Sequence, residues 1–289
     1  MDYYTKFGIE NNYAYLISDH MDVYIATSMR EKHEYAIINQ FIQDVFSYDF
    51  IEELNLRKFD PTQAFCESRI DKGLTEALML KRADCTVYLA QETDTFGKDS
   101  ELATTLAQGK PVIAYVPNGN KDYVDKLIDI SMEYYSKRSK IELLINLLCI
   151  FDSKLIWEKG EKDIRDCLDQ PDSDCESKLY SKLCNLVKEK YDKRADNLKD
   201  KHPLGIQINL ETGVANGVLV VREILQCAKL LRAIILNDFK FILKPINPKI
   251  GKDSVYLIES ISNSIYRVMT NNTLLTNTFW NFYTQTDID

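Results

Sequence analysis

Asp99-Ser100-Glu101-Leu102-Ala103-Thr104-Thr105-Leu106-Ala107-Gln108-Gly109-Lys110-Pro111 runs directly into Val112-Ile113-Ala114-Tyr115-Val116. The first part reads as one helix with a carboxylate in its first turn and a glycine stop, the second as a buried strand. Asp99 or Ser100 then stands at the N-cap. A carboxylate in that first turn is held ionised by the helix dipole and by free backbone amides, which suits a nucleophile. The same forces favour a carboxylate that only caps its helix. On the residues alone both readings of Glu101 stand.

Working outward, the segments on either side repeat the pattern. Val23 to Thr27 is a short β-prone run, and a helix over about 31–46 places Tyr35, Ile38, Phe41, Ile42 and Val45 on one face. Phe59-Asp60-Pro61 resembles the tail of a second strand. A helix over roughly 67–82 follows, with Ile70, Leu74, Ala77, Leu78 and Leu80 as its expected buried stripe and Asp84 at its exit. Cys85 to Ala90 is a third strand, followed by a polar loop containing Asp94. Strand and helix alternating with short connections predict a parallel sheet wrapped by helices, with ligands bound beyond the carboxyl ends of the strands. The loop before Glu101 lies at such an end.

Around this core the chain divides into an N-terminal arm (1–20), the α/β domain (21–150), a helical connector (151–201) and a smaller α+β domain (202–289) that starts at His202-Pro203. In the last, Ile206 to Leu210 and Val214 to Val221 read as two strands of a hairpin, with Gly217 as a bulge or close approach. Thr212 to Gly217 has the amide and glycine content of a ligand-cradling loop, and equally of a plain turn. Lys188 to Lys201 is the solvated face and exit of a helix, while His20 and His33 carry no assigned role.

The chain of 289 residues has 45% hydrophobic and 28% charged residues, ordinary for a globular protein. Its net charge of −8, with Lys and Arg scattered, excludes a phosphate-neutralising patch of the kind that binds duplex nucleic acid. Seven cysteines without a CxxC pair point to reduced, packed thiols, and no apolar run approaches the ~20 residues of a membrane span. A cytoplasmic protein that does not enter membranes is expected. Nothing in the residue pattern calls for a metal or a cofactor.

Asp22-Val23-Tyr24-Ile25-Ala26-Thr27-Ser28, Ala83 to Leu89, and Asp99-Ser100-Glu101 with its spacing to Gly109-Lys110-Pro111 resemble the nucleoside 2-deoxyribosyltransferase-like family over residues 21–118. The resemblance implies a flavodoxin- or Rossmann-like domain and cleavage of the N-glycosidic bond of a nucleoside, nucleotide or NAD. It makes Glu101 the nucleophile on the anomeric carbon. Asp71, Asp94 and Asp99 become the helper carboxylates, and Tyr24, Thr27, Ser28, Arg30 and Ser100 the substrate-binding residues, with Arg30 suited to a phosphate. Asp71 and Arg30 read equally well as surface residues. The chain departs from the family at Lys98-Asp99-Ser100, where Gly-Thr or Gly-Ser is usual.

A homo-oligomer is expected, as is a regulatory partner or ligand at the carboxy-terminal domain. An enzyme that destroys a cellular nucleotide would be toxic, as suits an effector of bacterial antiphage defence. The alternative is a sensor of the same fold that binds a nucleotide without cleaving it.

Overall fold

The computed structural model describes residues 2–92, 95–135, 139–156, 164, 167, 173–200, 207–209, 215–245 and 255–278. Asp94, His202, the 210–214 turn and the aromatic run after 278 lie outside these residues. A five-stranded, all-parallel sheet organises the chain: β1 (Met21–Ala26), β2 (Lys58–Phe59), β3 (Ala83–Leu89), β4 (Val112–Tyr115) and β7 (Val218–Val221), in the order β2-β1-β3-β4-β7. The chain steps from β1 to β2 on one side and returns to β3 on the other. The crevice between the carboxyl ends of β1 and β3 is therefore the topological switch point.

Both faces of this sheet are covered, so its strands are apolar on alternate sides rather than on one. Val23, Ile25, Cys85, Val87, Leu89, Ile113, Leu219 and Val221 pack with α2 (Lys32–Phe46) and with α9 (Ile224–Ile235). Tyr24, Ala26, Tyr88, Val112, Ala114, Val218 and Val220 pack on the opposite face. The helices there are α4 (Arg69–Arg82), α5 (Phe96–Ala107), α6 (Lys121–Tyr134), α7 (Lys140–Phe151) and the long α8 (Ser173–Asp200). Between α2 and β2 lies one helical turn, α3 (Asp49–Glu52). The N-terminal segment is a helix, α1 (Tyr3–Ile17), laid against α4.

Two expectations about the sheet are corrected. The run 214–221 is not one strand of a carboxy-terminal hairpin. It divides at Gly217, whose φ of 143° is open to glycine, into β6 (Ala215–Asn216) and β7. β6 pairs antiparallel with β5 (Gln207–Asn209), while β7 crosses to the first sheet and pairs in parallel with β4. Strand β7 and α9, expected beyond a boundary at 202, thus complete the amino-terminal sheet. The second sheet, in the order β6-β5-β10-β9-β8, adds β8 (Phe241–Pro245), β9 (Val255–Glu259) and β10 (Ile265–Met269), and a short helix α10 (Thr273–Thr278) follows.

The expected stripe of α4 holds at Leu80 and in part at Leu78, but not at its other positions. Its buried residues are Thr75, Met79 and Leu80, whereas Ile70 and Leu74 are 75% and 65% exposed and Ala77 faces outward with them. Asp84 is no helix-exit residue either: it is the second residue of β3. Cys167 and Cys175 form a disulfide, against the expectation of reduced thiols throughout; Cys66, Cys85, Cys149, Cys184 and Cys227 are free. No helix among the described residues is long and apolar enough to cross a membrane.

Candidate active site

Helix α5 starts earlier than its sequence suggests. Its N-cap is Thr95, whose hydroxyl accepts from the Lys98 amide, and Gly109 at φ 72° ends it as expected. Asp99 lies in the first turn, and Glu101 falls in the second. The helix dipole therefore does not hold Glu101 ionised, and packing decides its place. It is on the side of α5 that faces β1, where the Tyr24 hydroxyl donates to Glu101 Oε1 at 2.8 Å. Glu101 Oε2 is buried with no hydrogen-bond partner.

Burial pushes the Glu101 carboxyl up to about 7, and the nearby Glu76 adds to the rise; the Tyr24 hydrogen bond and the charges of Lys98 and Lys72 oppose it. Burial, and then the Glu101 charge, hold Tyr24 well above the ordinary phenol range, so its hydroxyl stays a donor. Glu76 is itself raised by burial, countered by Lys72 at 3.7 Å. Sequence reading missed Glu76. With the stripe of α4 set correctly on Thr75, Met79 and Leu80, Glu76 borders the buried side and Asp71 does not. Asp71 is exposed, and it accepts from the Ser68 hydroxyl while Ser68 caps the helix.

The switch point is bridged by polar groups. Gln91 accepts from the Ser28 amide at 2.6 Å and donates to the Ser28 carbonyl at 2.8 Å, while the Ser28 hydroxyl donates to Thr95 Oγ1. Lys98, 1% exposed, sends its amine to the Leu89 carbonyl at 2.8 Å and toward Gln91 Oε1 at 3.5 Å, over the ring of Tyr88. A buried amine bonded to a carbonyl ties α5 to the end of β3, and its removal takes a buried donor from the Leu89 carbonyl while Gln91 keeps the Ser28 amide. Lys98→Met is expected to lower the unfolding free energy by about 2–3 kcal/mol in urea denaturation. A loss below about 0.5 kcal/mol would show that the amine does not hold this crevice.

The remaining candidates separate. Asp99 is tied to Tyr88 (3.0 Å) and to Arg194 of α8 (3.0 Å), and Arg194 also donates to the Tyr88 hydroxyl. Arg194 was invisible in sequence, lying in a charge run that reads as solvated; so was Asp192, which with Arg222 pins α8 to the carbonyls of Val116 and Pro117. Ser100 turns away: it is exposed and donates to the Phe96 carbonyl of its own helix. Thr27 is at the end of β1 with its hydroxyl buried and unpartnered. Asp94 lies outside the described residues.

Arg30 follows β1 just before α2, where Glu34 accepts from the Arg30 and Glu31 amides in a capping box. Arg30, His33 and Glu92 line a cavity of about 240 Å³ beside it. Burial lowers the pKa of His33, whose Nδ1 has no partner. A larger cavity, about 700 Å³, opens between α1, the 61–66 loop and the start of α4, and Lys72 lines it.

His20, Asp22 and Asp84 place one ligand atom each within 4.8 Å of one another at the amino ends of β1 and β3, opposite the end that carries Glu101. Asp22 there accepts from the Arg57 amide through Oδ2, with the Arg57 guanidinium 3.8 Å away, and its Oδ1 lies 3.3 Å from His20 Nε2. The arrangement around Glu101 offers a nucleophilic oxygen, a hydrogen bond that orients it and a second carboxyl able to carry a proton. Set against protein-family models, curated proteins and solved structures, the chain matches none of them.

Proposed function

We propose that the chain cleaves N-glycosidic bonds of nucleosides, nucleotides or NAD-like dinucleotides, with Glu101 as the nucleophile. The observation that carries this reading is the Glu101 carboxylate itself. One oxygen is oriented by Tyr24 and the other, Oε2, is buried without a partner, at the carboxyl-end side of a parallel sheet. A capping carboxylate spends its oxygens on backbone amides; Glu101 has none. The sheet order 2-1-3-4-5 is that of flavodoxin-like folds, which fits the resemblance over residues 21–118.

In this reading Glu101 Oε2 attacks the anomeric carbon, and the C–N bond electrons leave with the base, which takes a proton from Glu76. Water, or a second base, then releases the sugar from the glycosyl ester. Tyr24 holds the carboxylate in line without competing for the proton. The productive state carries one proton on the carboxylate pair, with Glu101 ionised and Glu76 protonated.

The purified chain, incubated with NAD, nucleoside monophosphates and deoxynucleosides, is expected to release free base detectable by chromatography. Ligand-induced stabilisation of both the wild type and Glu101→Gln, with no base released by either, would instead identify a binding protein and defeat the reading.

A further inference from the structure

We propose that the cavity between α1 and the 61–66 loop is the seat of the planar heteroaromatic base, with α1 as its aromatic wall; this rests on the reading of Glu101 as a glycosidic nucleophile. Five rings line it, Tyr3, Tyr4 and Phe7 from α1, Phe65 from the loop and Tyr35 from α2. These rings are 41–77% exposed, an unusual amount of aromatic surface to leave in water around one concavity. Among its described lining residues the one charge is Lys72, whose field also reaches Glu101. A neutral ring system suits such a lining, and the Gln63 amide supplies a polar group for the edge of a base. At about 700 Å³ the space is within the range of small-molecule sites.

The wall is built into the fold. The Gly8 carbonyl accepts from the Phe65 amide at 3.0 Å, and Asn11 donates to the Gln63 carbonyl at 3.0 Å. A Cβ on Gly8 would meet Phe65 Cβ at 2.8 Å, so only glycine allows this approach. Arg82 ties the exit of α1 through the Leu16 and Ser18 carbonyls. Tyr15 of α1 packs on Phe59 at 4.9 Å, Phe59 stacks on Tyr24 at 5.2 Å, and Tyr24 holds Glu101. The wall and the nucleophile are thus joined through three rings. Helix α1 precedes the first strand and is not needed to close the sheet.

The test is saturation-transfer NMR of the full chain with adenine, hypoxanthine, cytosine, uracil and thymine, with ribose 5-phosphate as a ligand lacking a base. At least one base is expected to bind. Phe65→Leu, which keeps apolar volume but removes the ring, and Tyr4→Ala are each expected to weaken it about tenfold, as stacking energies imply. Phe65→Tyr restores binding, and Gly8→Val, which forces α1 off the loop, removes it. The inference is overturned if no base binds, if Kd is unchanged in Phe65→Leu and Tyr4→Ala, or if the same surface proves to pair two copies. The last would show as a dimer that Tyr4→Ala dissociates with no base bound. Base release with unaltered KM in Phe65→Leu defeats this inference and leaves the glycosidase reading standing. Phe65-dependent base binding in a chain that releases nothing does the opposite.

Discussion

Glu101→Gln is expected to lower base release by at least about a thousandfold while raising thermal stability above neutral pH. The loss follows because an amide oxygen does not form the glycosyl ester, and covalent catalysis then has no route. The gain follows from linkage. The Glu101 carboxyl sits at about 7 in the folded chain against an ordinary 4.5, so between these values the native state binds more protons than the unfolded one. Stability therefore falls as pH rises from about 4.5 to about 7 and stays low above it. The whole shift corresponds to roughly 3 kcal/mol at most.

Glutamine keeps an acceptor for the Tyr24 hydroxyl and removes the ionisation. Its melting temperature should exceed that of the wild type at pH 8 and approach it at pH 5. A carboxylate that merely capped its helix would behave in the opposite way, with glutamine destabilising near and above neutrality. Melting curves at the two pH values, read with activity, separate a site that trades stability for function from a structural residue.

The second large effect lies in the pH profile. With one proton shared by Glu101 and Glu76, kcat/KM is expected to be bell-shaped, its alkaline limb falling tenfold per pH unit above about 7 as the pair loses its last proton. Glu76→Gln removes the proposed proton donor to the base, and with it a negative charge that raises the Glu101 pKa. The alkaline limb should vanish, leaving a single rising limb displaced to lower pH and a rate at least a hundredfold lower, the usual scale of acid catalysis. Tyr24→Phe acts in the other direction. It removes the hydrogen bond that lowers the Glu101 pKa, so the pair holds its last proton more tightly and the alkaline limb moves up. The productive arrangement of the proton also becomes scarcer, and kcat/KM drops about tenfold at the optimum. Unchanged limbs in both variants would remove Glu76 and Tyr24 from the machinery.

The alternation of strands and helices was legible because a doubly covered parallel sheet needs continuous apolar strands, and 23–27, 85–90 and 112–116 supply them. Tyr24 and Glu101, 77 positions apart, were both legible as candidates, and the structure brings them to 2.8 Å. What sequence concealed has physical causes. Thr95, Asp99 and Ser100 are all competent N-caps, and local chemistry does not choose among them; the tie of Lys98 to the end of β3 does. Leu80 was legible. The apolar spacing of Ile70, Leu74 and Ala77 is better than that of Thr75 and Met79, yet the sheet takes the latter, which moves Glu76 to the site and Asp71 away.

Strand β7 was assigned to the wrong sheet because Val214 to Val221 reads as one strand bulged at Gly217, and only the backbone there shows that the two parts join different sheets. Arg194 reaches Asp99 across 95 positions, a contact for which a helix of mixed charge carries no local signal.

The most direct test is mass spectrometry of the chain after reaction with a nucleoside fluorinated at C2′, a substitution that slows hydrolysis of the glycosyl ester. The account predicts a gain equal to the sugar without its base, located on Glu101, with one equivalent of base released per chain and none of either in Glu101→Gln. Steady release of base with Glu101 unmodified, or an adduct on another carboxylate, would contradict it.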